Sequence, residues 1–195
     1  FNVKDDTLLF GYFQADQYFF KYRDELLKCF AFKNPLVDTS AVDFLKSHGK
    51  RITICAHSRE GDYEGTTFPI MTQSYFLRAV NMIIEKNQLD KDDVVVVVVS
   101  DNKATNKFDT VKEAGYHVVM SPFNIEHKFL DLSIMKNADH CITGASSFSW
   151  WGAWLNQNSP TIISPKYWFN HKIRDVFSPI DIAMSVPDQH FLANE

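Results

Sequence analysis

Three short segments hold the side chains best suited to chemistry. In His57-Ser-Arg-Glu-Gly-Asp-Tyr63 an imidazole, a guanidinium and carboxylates crowd one loop. Arg59 suits a bidentate, charge-assisted contact with phosphate oxygens, and Asp62 could lock either that guanidinium or the turn around Gly61. His57 could donate to a phosphate or to a neighbouring carbonyl. The competing reading is a polar loop with a surface Arg–Asp pair. In Gly144-Ala-Ser-Ser-Phe-Ser149, the hydroxyls of Ser146, Ser147 and Ser149 precede or open a helix, where the first backbone N–H groups lack partners. A phosphate would be held there, but on sequence alone simple capping of the helix by Ser146 or Ser147 is the more ordinary reading. Asp131 lies inside Phe129-Leu-Asp-Leu-Ser-Ile-Met135, a stretch apolar almost all round. A buried carboxylate is costly unless paired, so its partner is an Arg, a set of N–H groups, an intramolecular cap or a ligand. The edge of a guanine base would present suitable paired donors.

The elements that must position these residues are readable from periodicity. Val94 to Val99 is a continuous run of valine bounded by charged residues, the pattern of a strand covered on both faces. Apolar runs at 52–56, 117–120, 140–143 and 161–164 alternate with helical patterns at 16–30, 72–86, 126–137 and 147–156. The expected fold is α/β, a Rossmann-like parallel sheet with helices on both faces. No repeat or linker interrupts residues 1–195, so a single α/β domain is expected, less defined after Lys166. In such sheets ligands bind at the carboxyl ends of the strands, where the His57 and Gly144 segments fall, together with Ser100-Asp101-Asn102 after the valine run. Asp90-Lys-Asp92 has the spacing of a metal-binding acidic pair but precedes its strand, so it reads as a solvated loop. Trp150, Trp151 and Trp154 could form a sugar platform, yet their helical spacing favours core packing.

Composition narrows the classes. The 195 residues carry 20 basic and 24 acidic side chains, a net charge of −4, which argues against a polyanion-binding face. Any phosphate must therefore be met locally. Cys29, Cys55 and Cys141 stand in no metal-ligand or disulfide-framework spacing and read as buried thiols. The valine run is far shorter than the roughly 20 apolar residues of a bilayer span.

Taken in order, the segments resemble the α-1,2-fucosyltransferases of glycosyltransferase family 11. Ser146-Ser-Phe-Ser-Trp-Trp-Gly-Ala-Trp-Leu155, preceded by Asp131 to His140, is similar to the family's tryptophan-rich signature. His57-x-Arg59-x-Gly61-Asp62-Tyr63 resembles its His-x-Arg-Arg-Gly-Asp-Tyr motif, Gly11-Tyr-Phe-Gln its Gly-Tyr-x-Gln segment, and Ser100-Asp101 its Ser-Asp pair. The resemblance runs from about Gly11 to Phe169. It implies the donor-binding half of a GT-B enzyme that moves L-fucose from GDP-fucose to the 2-hydroxyl of a galactose-terminated glycan, inverting, with no cofactor and no obligatory metal. The family's acceptor-side segment has no counterpart before Phe1. The resemblance further implies that Arg59 holds the diphosphate, His57 contacts the nucleotide, Asp62 supports the motif, Asp101 is among the substrate-binding residues, and Asp131 reads guanine. Ser146, Ser147, Phe148 and Ser149 would bind phosphate, and Glu64 or His57 would take the acceptor proton. Membership would mean a Golgi anchor in an animal protein or the cytoplasmic side in a bacterial one. The chain departs from the pattern at Glu60, where the family usually has a second Arg, and a reversed charge beside the diphosphate is expected there. The alternatives are a GDP-sugar-binding module with impaired catalysis, or a fucosyltransferase of the same superfamily with another acceptor.

Overall fold

The computed structural model describes residues 4–8, 16–49, 51–102, 104–123, 127–169 and 189–192. Its spine is β2 (Val94–Ser100), every residue of which is buried. Branched Cβ atoms suit the extended chain, and two apolar faces require cover on both sides. β2 pairs in parallel with β1 (Ile52–Ser58), from Ile52 opposite Val94 to Ser58 opposite Ser100, and with β3 (His117–Met120) on its other edge. Beyond β1 come β4 (His140–Ile142), β5 (Ile162–Pro165) and β6 (Gln189–Leu192), all parallel. The resulting order, β3-β2-β1-β4-β5-β6, is that of a Rossmann-like sheet, as expected.

Two layers of helix cover the sheet. On one face α3 (Gln73–Asn87) brings Tyr75, Phe76, Ala79, Val80 and Ile83 onto Ile54, Ala56 and the even-numbered valines, joined by Val111 of α4 (Asp109–Glu113). α3 is started by Thr72, whose hydroxyl accepts from Tyr75 N, and stopped by Gln88 in the left-handed conformation. On the other face α2 (Leu36–Lys46) and α5 (Lys128–Asn137) bury Ala41, Leu45, Ile134 and Met135 against Cys55 and the odd-numbered valines. α6 (Ser147–Trp154) packs Trp150 and Trp154 into the first cluster, so these indoles are core, whereas Trp151 is half-buried.

Several expectations need correction. The helix expected over 16–30 is two short 3-10 turns followed by α1 (Arg23–Cys29). Phe19 breaks the helical path at φ −139° and turns inward to stack on Trp151 at 5.6 Å while meeting Trp150 and Trp154 edge-on. Cys29 is exposed at the end of α1, and only Cys55 and Cys141 are buried thiols. α2, α4 and β6 lie where no element was expected. The Gly11-Tyr-Phe-Gln segment lies outside the described residues.

Candidate functional site

Strand order reverses about β1, whose neighbours are β2 and β4. Loops leaving strands on the two sides of such a reversal part and open a crevice over the carboxyl ends. A cleft of about 660 Å³ lies there. The exit of β1 supplies His57, Arg59, Asp62 and Tyr63, and that of β2 Val99, Ser100 and Asp101. The start of α5 adds Lys128 and Asp131, and the start of α6 adds Ser146, Ser147 and Phe148.

Arg59 is the best-defined group. Its Nε donates to Asp62 Oδ1 at 2.7 Å and its Nη2 to Asp62 Oδ2 at 2.8 Å, a bidentate pair, with Asp101 Oδ2 3.5 Å from Nε. The two roles open to Asp62 are thus divided. Asp62 holds the guanidinium, and Asp101 holds the turn by accepting from Glu60 N and Gly61 N, each at 3.0 Å. The Asp62 bond, followed by the two carboxylate charges, outweighs burial and raises the Arg59 pKa further. Glu60 does not line the cleft. Its carboxylate accepts from Ser58 Oγ at 2.9 Å, from Asn102 Nδ2 at 3.1 Å and from Thr105 Oγ1, so the expected charge reversal beside the ligand is not what the loop contains.

His57 is 3% exposed, lies against the Phe148 ring at 5.4 Å, and leaves its buried Nδ1 without a hydrogen-bond partner. Burial pushes its pKa down to about 4, with Arg59 acting in the same direction and Asp101 against it. The imidazole is therefore neutral and weakly basic near pH 7. Gly144 closes over it, since a Cβ there would stand 3.2 Å from the His57 carbonyl and 3.6 Å from Nδ1.

Ser146 occupies the N-cap position of α6 with extended angles, yet no side-chain hydrogen bond caps the helix. Capping therefore does not account for the serines. The N–H groups and the positive end of the α6 dipole open toward the cleft through Ser147 and Phe148. Ser149 is turned away. Its hydroxyl is buried and donates to Ser146 O at 3.0 Å and to Gly144 O at 3.4 Å. Glu64 is exposed and does not line the cleft. Asp131, 6% exposed in the first turn of α5, accepts from Ser121 Oγ and faces the cleft. Asp90 accepts from Asp92 N at 2.9 Å at the amino end of β2, opposite the cleft.

Three contributors escaped the sequence reading. Tyr63 spans the cleft wall by donating from its hydroxyl to Ala145 O at 2.8 Å, its ring stacked on Phe68. Ser121 orients Asp131, and Lys128 adds a cation one helical turn before it. The spacing of Lys128 to Asp131 on one helix was the available signal for Lys128, whereas Ser121 had none.

The profile of Glycosyl transferase family 11 matches residues 4–178, which include every segment lining the cleft. The chain belongs to this family. It is 29% identical to the O-antigen biosynthesis glycosyltransferase WbnK of Escherichia coli, over 86% of this chain and 57% of that protein. It is also 26% identical to an alpha-1,2-colitosyltransferase of Escherichia coli, over 91% and 61% of the two chains. This family 11 chain thus spans about three fifths of the length of these relatives. Among solved structures it is similar to POFUT1 in complex with GDP-fucose, with a TM-score of 0.47 and 13% identity over 67% of this chain and 45% of that one. Similarity to the fucosyltransferase NodZ from Bradyrhizobium gives a TM-score of 0.39 and 17% identity over 72% and 60%.

Proposed function

We propose that the cleft binds GDP-fucose and that this chain is the donor-binding half of a GT-B enzyme transferring L-fucose, with inversion and without an obligatory metal, to the 2-hydroxyl of a galactoside. The observation that carries the reading is the convergence on one cleft of an uncapped α6 start, Arg59 and a buried carboxylate in Asp131. Arg59 keeps Nε and Nη2 on Asp62 and presents its other edge to a diphosphate, while the α6 N–H groups meet the same phosphate from the opposite wall. Asp131, oriented by Ser121, would accept the paired N–H donors of guanine.

In the reaction the acceptor oxygen bonds to the fucosyl anomeric carbon as the bond to the β-phosphate breaks. Positive charge grows on the sugar and negative charge on the departing GDP. Fixed donors aimed at that oxygen stabilise it without reorganising, which is the work a cation performs elsewhere. His57 enters as a neutral partner of the nucleotide, because burial keeps its imidazole uncharged near pH 7. Glu64, exposed and off the cleft wall, would take the acceptor's proton only by way of solvent, with Ser146, Ser147 and Phe148 on phosphate and Ser149 bracing the turn beneath them.

Calorimetric titration with GDP tests the site. Arg59→Ala and Asp131→Ala are each expected to weaken binding by about tenfold or more, roughly 1.4 kcal/mol. Unchanged affinity in both would sink the assignment. The likeness to an alpha-1,2-colitosyltransferase favours a second reading, in which the sugar carried is colitosyl. Transfer assays supplied with either sugar donor separate the two.

A further inference from the structure

Glu60 stands beside the central cation of the site but makes its contacts elsewhere. Two hydroxyl groups, Ser58 Oγ and Thr105 Oγ1, donate to its Oε1, and Asn102 Nδ2 donates to its Oε2. Its backbone N–H donates to Asp101, as does that of Gly61. One residue of the loop leaving β1 is thereby held, through both side chain and backbone, by Asp101, Asn102 and Thr105 of the loop leaving β2. Arg59 lies between two anchored neighbours, Ser58 with its buried hydroxyl and Glu60, and reaches Asp62 and Asp101 from there.

We propose that Glu60 is a positioning residue, whose carboxylate clamps the β1 loop to the β2 loop and so aims the Arg59 guanidinium at the donor phosphates. The carboxylate accepts all three donors, both hydroxyls on Oε1 and the amide on Oε2. Arginine at this position would bring five donors and no acceptor to the same place. The loop is therefore closed here by chemistry that the family's usual second Arg cannot supply.

The inference rests on the GDP reading of the cleft, and two measurements on the intact chain keep the two separable. In GDP titrations, Glu60→Ala and Glu60→Arg are expected to weaken binding about tenfold, whereas Glu60→Gln stays within about threefold because its oxygen keeps both hydroxyl donors and only the Asn102 contact is lost. In the Arg59→Ala background, Glu60→Ala should cost nothing further, since it acts through the guanidinium. Amide exchange supplies a readout independent of ligand. Gly61 N–H should exchange about tenfold faster in Glu60→Ala and near the parental rate in Glu60→Gln. Parental GDP affinity in Glu60→Ala, tighter binding in Glu60→Arg, or a full additional loss in the Arg59→Ala background would each overturn the proposal. Absence of GDP binding by the parent chain would instead overturn the donor reading. In that case an unchanged Gly61 exchange rate in Glu60→Ala would still defeat the clamp.

Discussion

A histidine with a pKa near 4 makes a claim about the folded chain as a whole. In the unfolded chain the imidazole protonates near 6.5, and in the folded chain near 4, because burial disfavours the cation. As pH falls through that window the unfolded state takes up a proton that the folded state refuses, so stability is lost on acidification and is unaffected above it. The span corresponds to roughly 3 kcal/mol. Urea unfolding at pH 7 and pH 4.5 should therefore show a smaller loss in His57→Gln than in the parent, and an equal loss would remove His57 from the account. At this scale the sequence exposes residue types and neighbours along the chain but not direction. Arg59 and Asp62 were legible because they lie three apart in one loop and meet locally. Glu60 was misread because its partners Asn102 and Thr105 come from another loop, and Ser149 because a serine in a helix's first turn can face either way.

Among the elements, α6 matters most, because its start forms one wall of the cleft and its flank is core. Gly152 is what lets it approach α5. A Cβ there would stand 2.7 Å from Met135 Cβ and 3.0 Å from its sulfur, too close for either helix to remain in place. On an exposed helix Gly→Ala would stabilise by roughly 0.5–1 kcal/mol, but overpacking of this kind costs about 1–3 kcal/mol, so the sign should reverse. Gly152→Ala is expected to lower the melting temperature and also to weaken GDP binding, since relief of the clash displaces α6 or α5, whose first turns both line the cleft. A higher melting temperature would show that the helices are not in contact as described. The strands were the most legible elements, because continuous β-branched runs leave little choice of structure. The helices were less so. Residues 16–22 have helical spacing, but their aromatic run favours helix weakly, and the gain from placing Phe19 among three indoles wins. α4 is only one turn and a half, too short for a period to show, and α2 interleaves its apolar residues with Asp38, Thr39 and Ser40.

For the whole molecule, a net charge of −4 is compatible with the proposed phosphate site because the cleft gathers its positive potential from Arg59, Lys128 and a helix end rather than from the surface at large. The chain spans about three fifths of its relatives' length, and its cleft is built from segments inside the family match. GDP is accordingly expected to bind this chain one to one, while fucose transfer to lactose should require a version extended to its relatives' length, and should then survive excess chelator. Loss of that transfer in chelator with recovery on adding manganese would overturn metal independence. Finally, α6 is its own optical instrument. Trp150, Trp151 and Trp154 lie with ring centres 4.9–6.1 Å apart on the helix whose first turn lines the cleft. Indoles so close share their excited states, so their circular dichroism and emission belong to the cluster rather than to any one ring. Occupancy of the cleft can thus be followed by light, with no label attached, in the same residues that hold the helix to the sheet.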